Sequence, residues 1–177
     1  TAQLLEAVAR RPPAGPGAEP AARGQEPGRR PSGMVVANDA GESERIPHLQ
    51  RLLAGRPSHE QATLVVTSGL GETLPFPGFG VAGDEGFDRI LLDAPCSGDG
   101  TVRKAADVLR QWTPEPGAEL HGVQVALLLR GLRLLRPGGR LVYSTCSLNP
   151  VEDEAVVAEA LRCADGAVVL EDAGEKL

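Results

Sequence analysis

The stretch Arg140-Leu-Val-Tyr-Ser-Thr-Cys-Ser-Leu-Asn-Pro-Val-Glu-Asp-Glu154 decides the fold that we predict for this chain. Its apolar residues 141–143 follow a Pro-Gly-Gly turn and are typical of a short buried strand. Asn149, Pro150 and Glu152 then match a helix start, with an N-cap, a first-turn proline and a capping-box carboxylate. Cys146 therefore lies between a strand end and a helix predicted over 150–163, where the helix dipole favours a thiolate.

A second junction of the same kind lies upstream. Residues 87–92 predict a strand that runs into Asp93-Ala-Pro-Cys-Ser-Gly-Asp-Gly-Thr101. Because parallel strands end at the same edge of a sheet, we expect Asp93, Cys96 and Cys146 to meet at one edge. That edge is where open α/β sheets bind their ligands, so it is the predicted site.

The rest of the chain repeats the alternation of strands and helices. Further strands are predicted at 34–38 and 62–67, with one more possible at 167–170. Helices are predicted at 1–11, 49–54, 105–112 and 119–135, and the helix at 150–163 presents Val151, Ala155, Ala158 and Leu161 on one apolar face. This order predicts an α/β fold with a mostly parallel sheet.

Composition sets limits on the function. The 177 residues fit one domain, with a Pro/Gly-rich segment at 12–33 that lacks apolar periodicity and is predicted to be a disordered insertion. A net charge of −6 weighs against this segment binding nucleic-acid phosphates by itself. Three cysteines match neither a disulfide framework nor a zinc pattern, so we predict free thiols and no metal. No apolar stretch is long enough to predict a membrane span.

Structural explanations compete with the functional ones. Both motif cysteines also fit the role of a small buried residue in a turn, and the carboxylates at 152–154 oppose a thiolate at Cys146. Asp39 follows a predicted strand, where a carboxylate can bind ribose hydroxyls, but its local sequence fits a turn residue better. A Gly-x-Gly-x-x-Gly match at 78–83 precedes a strand rather than a helix, so it fails as a dinucleotide fingerprint.

Two segments carry a family resemblance. The run from Asp93 to Lys104 and the run Tyr143-Ser-Thr-Cys-Ser-Leu-Asn-Pro-Val-Glu-Asp-Glu-Ala-Val156 resemble the Nop/Sun family of RNA cytosine-5 methyltransferases, most of all its tRNA-methylating branch. The resemblance covers residues 1–11 and 33–177. It implies a Rossmann-like methyltransferase domain that uses S-adenosylmethionine, acts on RNA, and has a nuclear location.

The resemblance also implies roles for four residues. Cys146 corresponds to the nucleophile that attacks carbon 6 of cytosine, and Cys96 to the cysteine that helps to resolve the covalent RNA adduct. Asp93 corresponds to a carboxylate beside both cofactor and base. Asp39 corresponds to the acidic residue that holds the cofactor ribose.

The sequence departs from the family pattern in two places. A Pro-Gly turn ending in lysine, which binds the cofactor, is expected just before Thr1, and Gly69 stands where an acidic residue is usual. We therefore expect residues 1–177 to be an incomplete catalytic domain, lacking the first strand and possibly the last ones, with weak or no turnover alone. Two alternatives stay open: a non-catalytic RNA-binding or scaffold fragment, and an exocyclic-amine methyltransferase, since 93–96 distantly resembles an Asp-Pro-Pro-Tyr tetrad.

Overall fold

A computed structural model describes residues 33–41, 46–47, 50–51, 64–75, 86–102, 104, 106–108 and 110–172. It divides into two compact units, Thr1–Gly71 and Glu72–Leu177, which are treated separately below. The helix predicted at 1–11 and nearly all of the insertion predicted at 12–33 fall outside the described residues.

The first unit contains a parallel pair of strands. Strand β1 (Val35–Asp39) pairs with β2 (Leu64–Ser68) so that Asp39 lies opposite Ser68. Side chains join the strand ends: the Thr67 hydroxyl donates to Asn38 Oδ1 (2.9 Å), and the Asn38 amide donates to the carbonyl of Gly69 (2.9 Å). Both strands were predicted from sequence within two residues of these bounds. Residues 46–47 and 50–51 are helical, close to the helix predicted at 49–54.

The second unit is built on another parallel pair. Strand β3 (Phe87–Asp93) pairs with β4 (Leu135–Ser144), with Asp93 opposite Ser144. Strand β4 begins at Leu135 rather than at the predicted residue 141. The Pro-Gly-Gly segment does not end the chain's pairing but forms an irregularity in it, because Leu135 lies opposite Phe87 and Arg140 opposite Arg89. Gly138 adopts the left-handed φ of 75° that this irregularity requires.

Two helices pack on these strands. Helices α1 (Glu115–Leu134) and α2 (Glu154–Ala164) enclose a core of Leu128, Val156 and Ala160, against which Leu92, Leu141, Tyr143 and others pack. Where the structure describes the chain, short 3-10 helices lie at Gly71–Thr73, Asp99–Thr101 and Ala106–Val108, and the last of these lies within the segment 105–112, where a longer helix was predicted. The described part of the chain holds no helix long and apolar enough to cross a membrane.

Other expectations at the C-terminal side were wrong. Helix α2 buries Val156 and Ala160, whereas Val151, Ala155 and Ala158 of the predicted apolar face are exposed. Three of the residues on the predicted face are small or lie before the helix, so that face offers little apolar area to bury. Residues 167–170 form no strand. The broader prediction of an α/β chain with parallel strand pairs is confirmed.

The predicted capping box is also wrong. Helix α2 begins at Glu154, and residues 150–153 form a turn in which Asn149 Oδ1 accepts the N–H of Val151 (3.0 Å). The N–H of Asn149 donates to Ser147 Oγ (3.0 Å) instead of to Glu152. Glu152 is absent from the cap because its carboxylate is buried among donors from another loop.

Candidate active site

The two cysteine junctions meet at the carboxyl edge of the β3–β4 pair. Parallel pairing ends both strands at this edge, and the N–H of Ala94 donates to the carbonyl of Ser144 (2.9 Å) where the loops diverge. Cys96 Sγ and Cys146 Sγ lie 3.1 Å apart, and the N–H of Cys146 donates to Cys96 Sγ (3.3 Å). The structure thus brings together the two thiols that the sequence placed at one sheet edge.

The two thiols differ in their surroundings. Cys146 is exposed and lines an open cleft of about 470 Å³ together with Gly100, Thr101 and Lys104. Cys96 is half-buried, and burial, together with the hydrogen bond to the Cys146 side chain, raises the pKa of its thiol from 9.0 to about 11. Cys96 therefore keeps its proton at neutral pH, and Cys146 is the sulfur that faces the cleft.

The helix that follows Cys146 begins later than predicted. Helix α2 begins at Glu154, eight residues after the cysteine. The field of a helix terminus falls off within about one turn, so this later start gives no support to the dipole effect that the sequence led us to expect.

The two predicted aspartates lie in different units. Asp93 ends β3 three residues before Cys96, is exposed, and accepts the Ser144 hydroxyl at 3.4 Å. Asp39 ends β1 in the first unit, where its Oδ1 accepts the N–H of Gly41 (2.9 Å). The structure therefore places Asp93 at the same sheet edge as the two thiols. The cofactor role of Asp39 remains a prediction.

A buried carboxylate that the sequence analysis assigned to a helix cap joins the two loops. The Glu152 side chain is fully buried and accepts the Ser97 N–H (2.8 Å), the Ser97 hydroxyl (2.5 Å), the Ser147 hydroxyl (2.7 Å) and the Gln124 amide (3.1 Å). Burial is the largest single influence and opposes the charge, but the hydrogen bonds from Ser97, Ser147 and Gln124 together outweigh it and lower the pKa of Glu152. The carboxylate is thus ionised inside the protein.

A second buried carboxylate, in the loop that carries Cys96, accepts a hydrogen bond from the loop that carries Cys146. Asp99 is 7% exposed, and its Oδ1 accepts the N–H of Leu148 at 2.6 Å while its Oδ2 accepts the indole N–H of Trp112 at 3.1 Å. Burial opposes its charge too, yet these hydrogen bonds, with that to Leu148 first, lower the pKa of Asp99. Asp99 was quoted within the motif but received no role from the sequence.

A helical pattern was the signal that could have revealed the buried residues. Glu152, Val156 and Ala160 recur at intervals of four, which places the carboxylate in line with the two core residues of α2. Gln124 precedes the core residue Leu128 by the same interval on α1, and its amide donates to the carbonyl of Pro95 (2.8 Å). In the described ranges no three His, Cys, Asp or Glu side chains form a group able to hold a metal ion.

Comparison with known sequences matches this geometry to a family. Residues 26–174 match the family described as 16S rRNA methyltransferase RsmB/F, and both cysteine loops fall inside the match. The chain belongs to this family. The resemblance to the Nop/Sun RNA cytosine-5 methyltransferases is thereby confirmed.

Several relatives of the RsmB/F family are similar over most of the chain. The multisite-specific tRNA:(cytosine-C(5))-methyltransferase of Saccharomyces cerevisiae is 49% identical over 75% of the chain, which corresponds to 19% of that protein. The trm4b enzyme of the same description from Schizosaccharomyces pombe is 40% identical over 100% of the chain and 26% of its own length. The chain thus spans between a fifth and about a quarter of these relatives.

A solved structure agrees with the fold. A methyltransferase homolog protein from Pyrococcus horikoshii is 34% identical, with a TM-score of 0.51, and the similarity covers 73% of this chain and 37% of that one. The methyltransferase fold predicted from the cysteine motifs is therefore confirmed.

Proposed function

We propose that the protein to which this chain belongs transfers a methyl group from S-adenosylmethionine to carbon 5 of cytosine in RNA, and that its substrate is tRNA. The observation that carries the proposal is the pair of thiols at one sheet edge, with Cys96 Sγ 3.1 Å from Cys146 Sγ. The family match and relatives named as tRNA cytosine-C(5) methyltransferases support the reaction class.

Cytosine needs activation before its carbon 5 can take a methyl group. Carbon 6 is electron-poor, so a thiolate can attack it, and the new S–C6 bond makes carbon 5 nucleophilic. After carbon 5 has gained the methyl group it must lose its proton, and the S–C6 bond must break to release the methylated base and the thiolate.

The environments of the two thiols support a different role for each in this reaction. We assign the attack on carbon 6 to Cys146, because its sulfur is exposed in the cleft with Thr101 and Lys104. We assign release of the adduct to Cys96: its thiol, whose pKa is raised to about 11, can give its proton to the Cys146 sulfur as the S–C6 bond breaks, while the proton on carbon 5 passes to water in the open cleft. Asp93, at the end of β3 beside the same loops, is assigned a place next to base and cofactor.

The residues of the first unit fit the sugar end of the cofactor. Asp39 ends a parallel strand at the edge where ribose hydroxyls are bound in α/β sheets, and Gly69 follows the neighbouring strand. A Cβ at Gly69 would meet no atom within 4 Å, so this edge has room for a ligand. When bound, S-adenosylmethionine supplies an electrophilic methyl group; Asp39 would hold the ribose.

The open cleft suits a base that has left a helical stack. Carbon 6 of a cytosine stacked inside a duplex is not accessible to a thiol in a protein cleft, so single-stranded or flipped-out cytosine is the expected substrate. Lys104 lines the cleft beside Cys146 and places a cation where a nucleotide phosphate can lie. This local charge acts against the net charge of −6.

Transfer of a labelled methyl group tests the proposal. The protein is incubated with labelled S-adenosylmethionine and either unmodified tRNA or small-subunit rRNA, and the methylated base is identified after digestion. We expect 5-methylcytosine in tRNA, none with Cys146→Ala, and unchanged transfer with Cys163→Ala, which removes an exposed thiol on α2. Transfer by Cys146→Ala, or methylation of an exocyclic amine, would contradict the proposal.

A further inference from the structure

Each cysteine loop carries a buried carboxylate that binds the main chain of the other loop. Glu152 follows Cys146 and accepts the N–H of Ser97, the residue after Cys96 (2.8 Å). Asp99 follows Cys96 and accepts the N–H of Leu148, two residues after Cys146 (2.6 Å). We call this pair of carboxylates the reciprocal clasp.

The two carboxylates of the reciprocal clasp are buried, and each of their oxygens accepts at least one hydrogen bond. Glu152 is fully buried and Asp99 is 7% exposed. Hydroxyl, indole and amide groups complete their hydrogen bonds, the donors being Ser97, Ser147, Gln124 and Trp112. Hydrogen bonds to a charged acceptor are about twice as strong as those between neutral groups. Separating the loops would leave two ionised carboxylates without these donors, which is unfavourable inside a protein.

We propose that Glu152 and Asp99 are positioning residues that hold the sulfurs of Cys96 and Cys146 within reach of one pyrimidine. Their carboxylates act on the cysteines through the main chain of Ser97 and Leu148. The inference rests on the proposed function and adds to it the means by which the thiol pair is set before RNA binds. The N–H of Gly100, which donates to the carbonyl of Cys146 (3.0 Å), strengthens the same loop contact.

Phenylarsine oxide measures the thiol pairing without any turnover. It reacts with two thiols to form two As–S bonds and one water, with no change in oxidation state at sulfur, and it is retained only when both sulfurs reach the same arsenic. We expect one equivalent to be retained by the unaltered chain, bound through Cys96 and Cys146. Glu152→Gln turns one acceptor oxygen into a donor facing other donors, and we expect affinity to fall about tenfold or more.

A matched control lies two residues away. Glu154 is exposed at the start of α2, so Glu154→Gln changes the same charge without touching the loops, and we expect unchanged arsenical affinity. Asp99→Asn tests the second half of the reciprocal clasp and should give a loss like that of Glu152→Gln. Circular dichroism reports whether each variant keeps its helices.

The outcomes separate the two proposals. Failure of the unaltered chain to retain the arsenical would overturn the paired thiols and with them the proposed function. Retention that is equal in the unaltered chain, Glu152→Gln and Asp99→Asn would overturn the clasp alone. If Glu152→Gln loses its helices, Ser147→Ala serves as the test in its place, because it removes only one hydroxyl donor to Glu152. Unchanged arsenical affinity in both Ser147→Ala and Asp99→Asn would then overturn the reciprocal clasp.

Discussion

At the residue scale, the thiols of Cys96 and Cys146 lie at the same sheet edge but differ in exposure to solvent. Cys96 accepts a hydrogen bond from the N–H of Cys146, and it is partly shielded from solvent. This burial and the contact with the Cys146 side chain raise the pKa of the Cys96 thiol. A protonated thiol next to the nucleophilic sulfur can donate its proton to that sulfur as the S–C6 bond breaks. The difference is testable without RNA.

Competitive alkylation with limiting iodoacetamide at pH 8 measures this difference. The pKa of Cys96 is raised from 9.0 to about 11, so its thiolate fraction at this pH is lower by about a hundredfold than that of an ordinary thiol. We expect peptide mapping to show Cys96 modified much more slowly than the exposed Cys163, with the rate at Cys96 rising as the pH approaches 11. Equal modification of both at pH 8 would refute the assignment.

Gly69 offers a second test at this scale. A Cβ there would meet nothing within 4 Å, whereas one at Gly86 would lie 2.6 Å from the carbonyl oxygen of Leu134, at a φ of 105°. Gly69→Asp supplies the carboxylate that the family resemblance leads us to expect, and we predict a change in the free energy of unfolding within about 0.5 kcal/mol. Gly86→Ala should lower the midpoint of thermal unfolding clearly. Comparable losses in both variants would show that the space beside β2 is not open.

At the element scale, helix α1 has glycines with opposite requirements. Gly122 is exposed, and a Cβ there meets nothing within 4 Å, so Gly122→Ala should stabilise the chain by about 0.5–1 kcal/mol through helix propensity. At Gly117 a Cβ would lie 2.5 Å from Asn149 Nδ2 and 3.2 Å from the Glu152 carboxyl carbon. Gly117→Ala should therefore destabilise it. Denaturant unfolding of the two variants measures both signs, and stabilisation by Gly117→Ala would contradict the packing of α1 on the Glu152 turn.

The elements that the sequence predicted well are those specified by local pattern. Apolar runs and turn residues located the strands, and parallel pairing then implied that Cys96 and Cys146 share an edge. The start of α2 was mispredicted because Asn149 and Glu152 satisfy the pattern of a capping box, while Glu152 in fact binds Ser97, 55 residues away in sequence. Local pattern does not contain such long-range partners, so both carboxylates of the reciprocal clasp were missed as well.

At the scale of the whole molecule, the thiol pair and its supports all belong to one compact unit. Residues from Glu72 to Leu177 include β3, β4, α1 and α2, and with them both cysteine loops and the cleft beside Cys146. The chain that contains this unit spans 19% of the Saccharomyces cerevisiae relative. The account therefore predicts that the chemistry of the covalent step depends on this unit, and that its two cysteines cannot replace one another.

Trapping of the RNA adduct tests that claim most directly. The protein carrying Cys96→Ala is incubated with tRNA and S-adenosylmethionine and then separated on a denaturing gel. The account predicts a denaturant-resistant protein–RNA band, because Cys146 still attacks cytosine while release is blocked, and it predicts no band from the double variant Cys96→Ala, Cys146→Ala. A band that survives in the double variant would contradict the account. The account would also be contradicted if Cys96→Ala gave no protein–RNA band and methylated the same RNA at an undiminished rate.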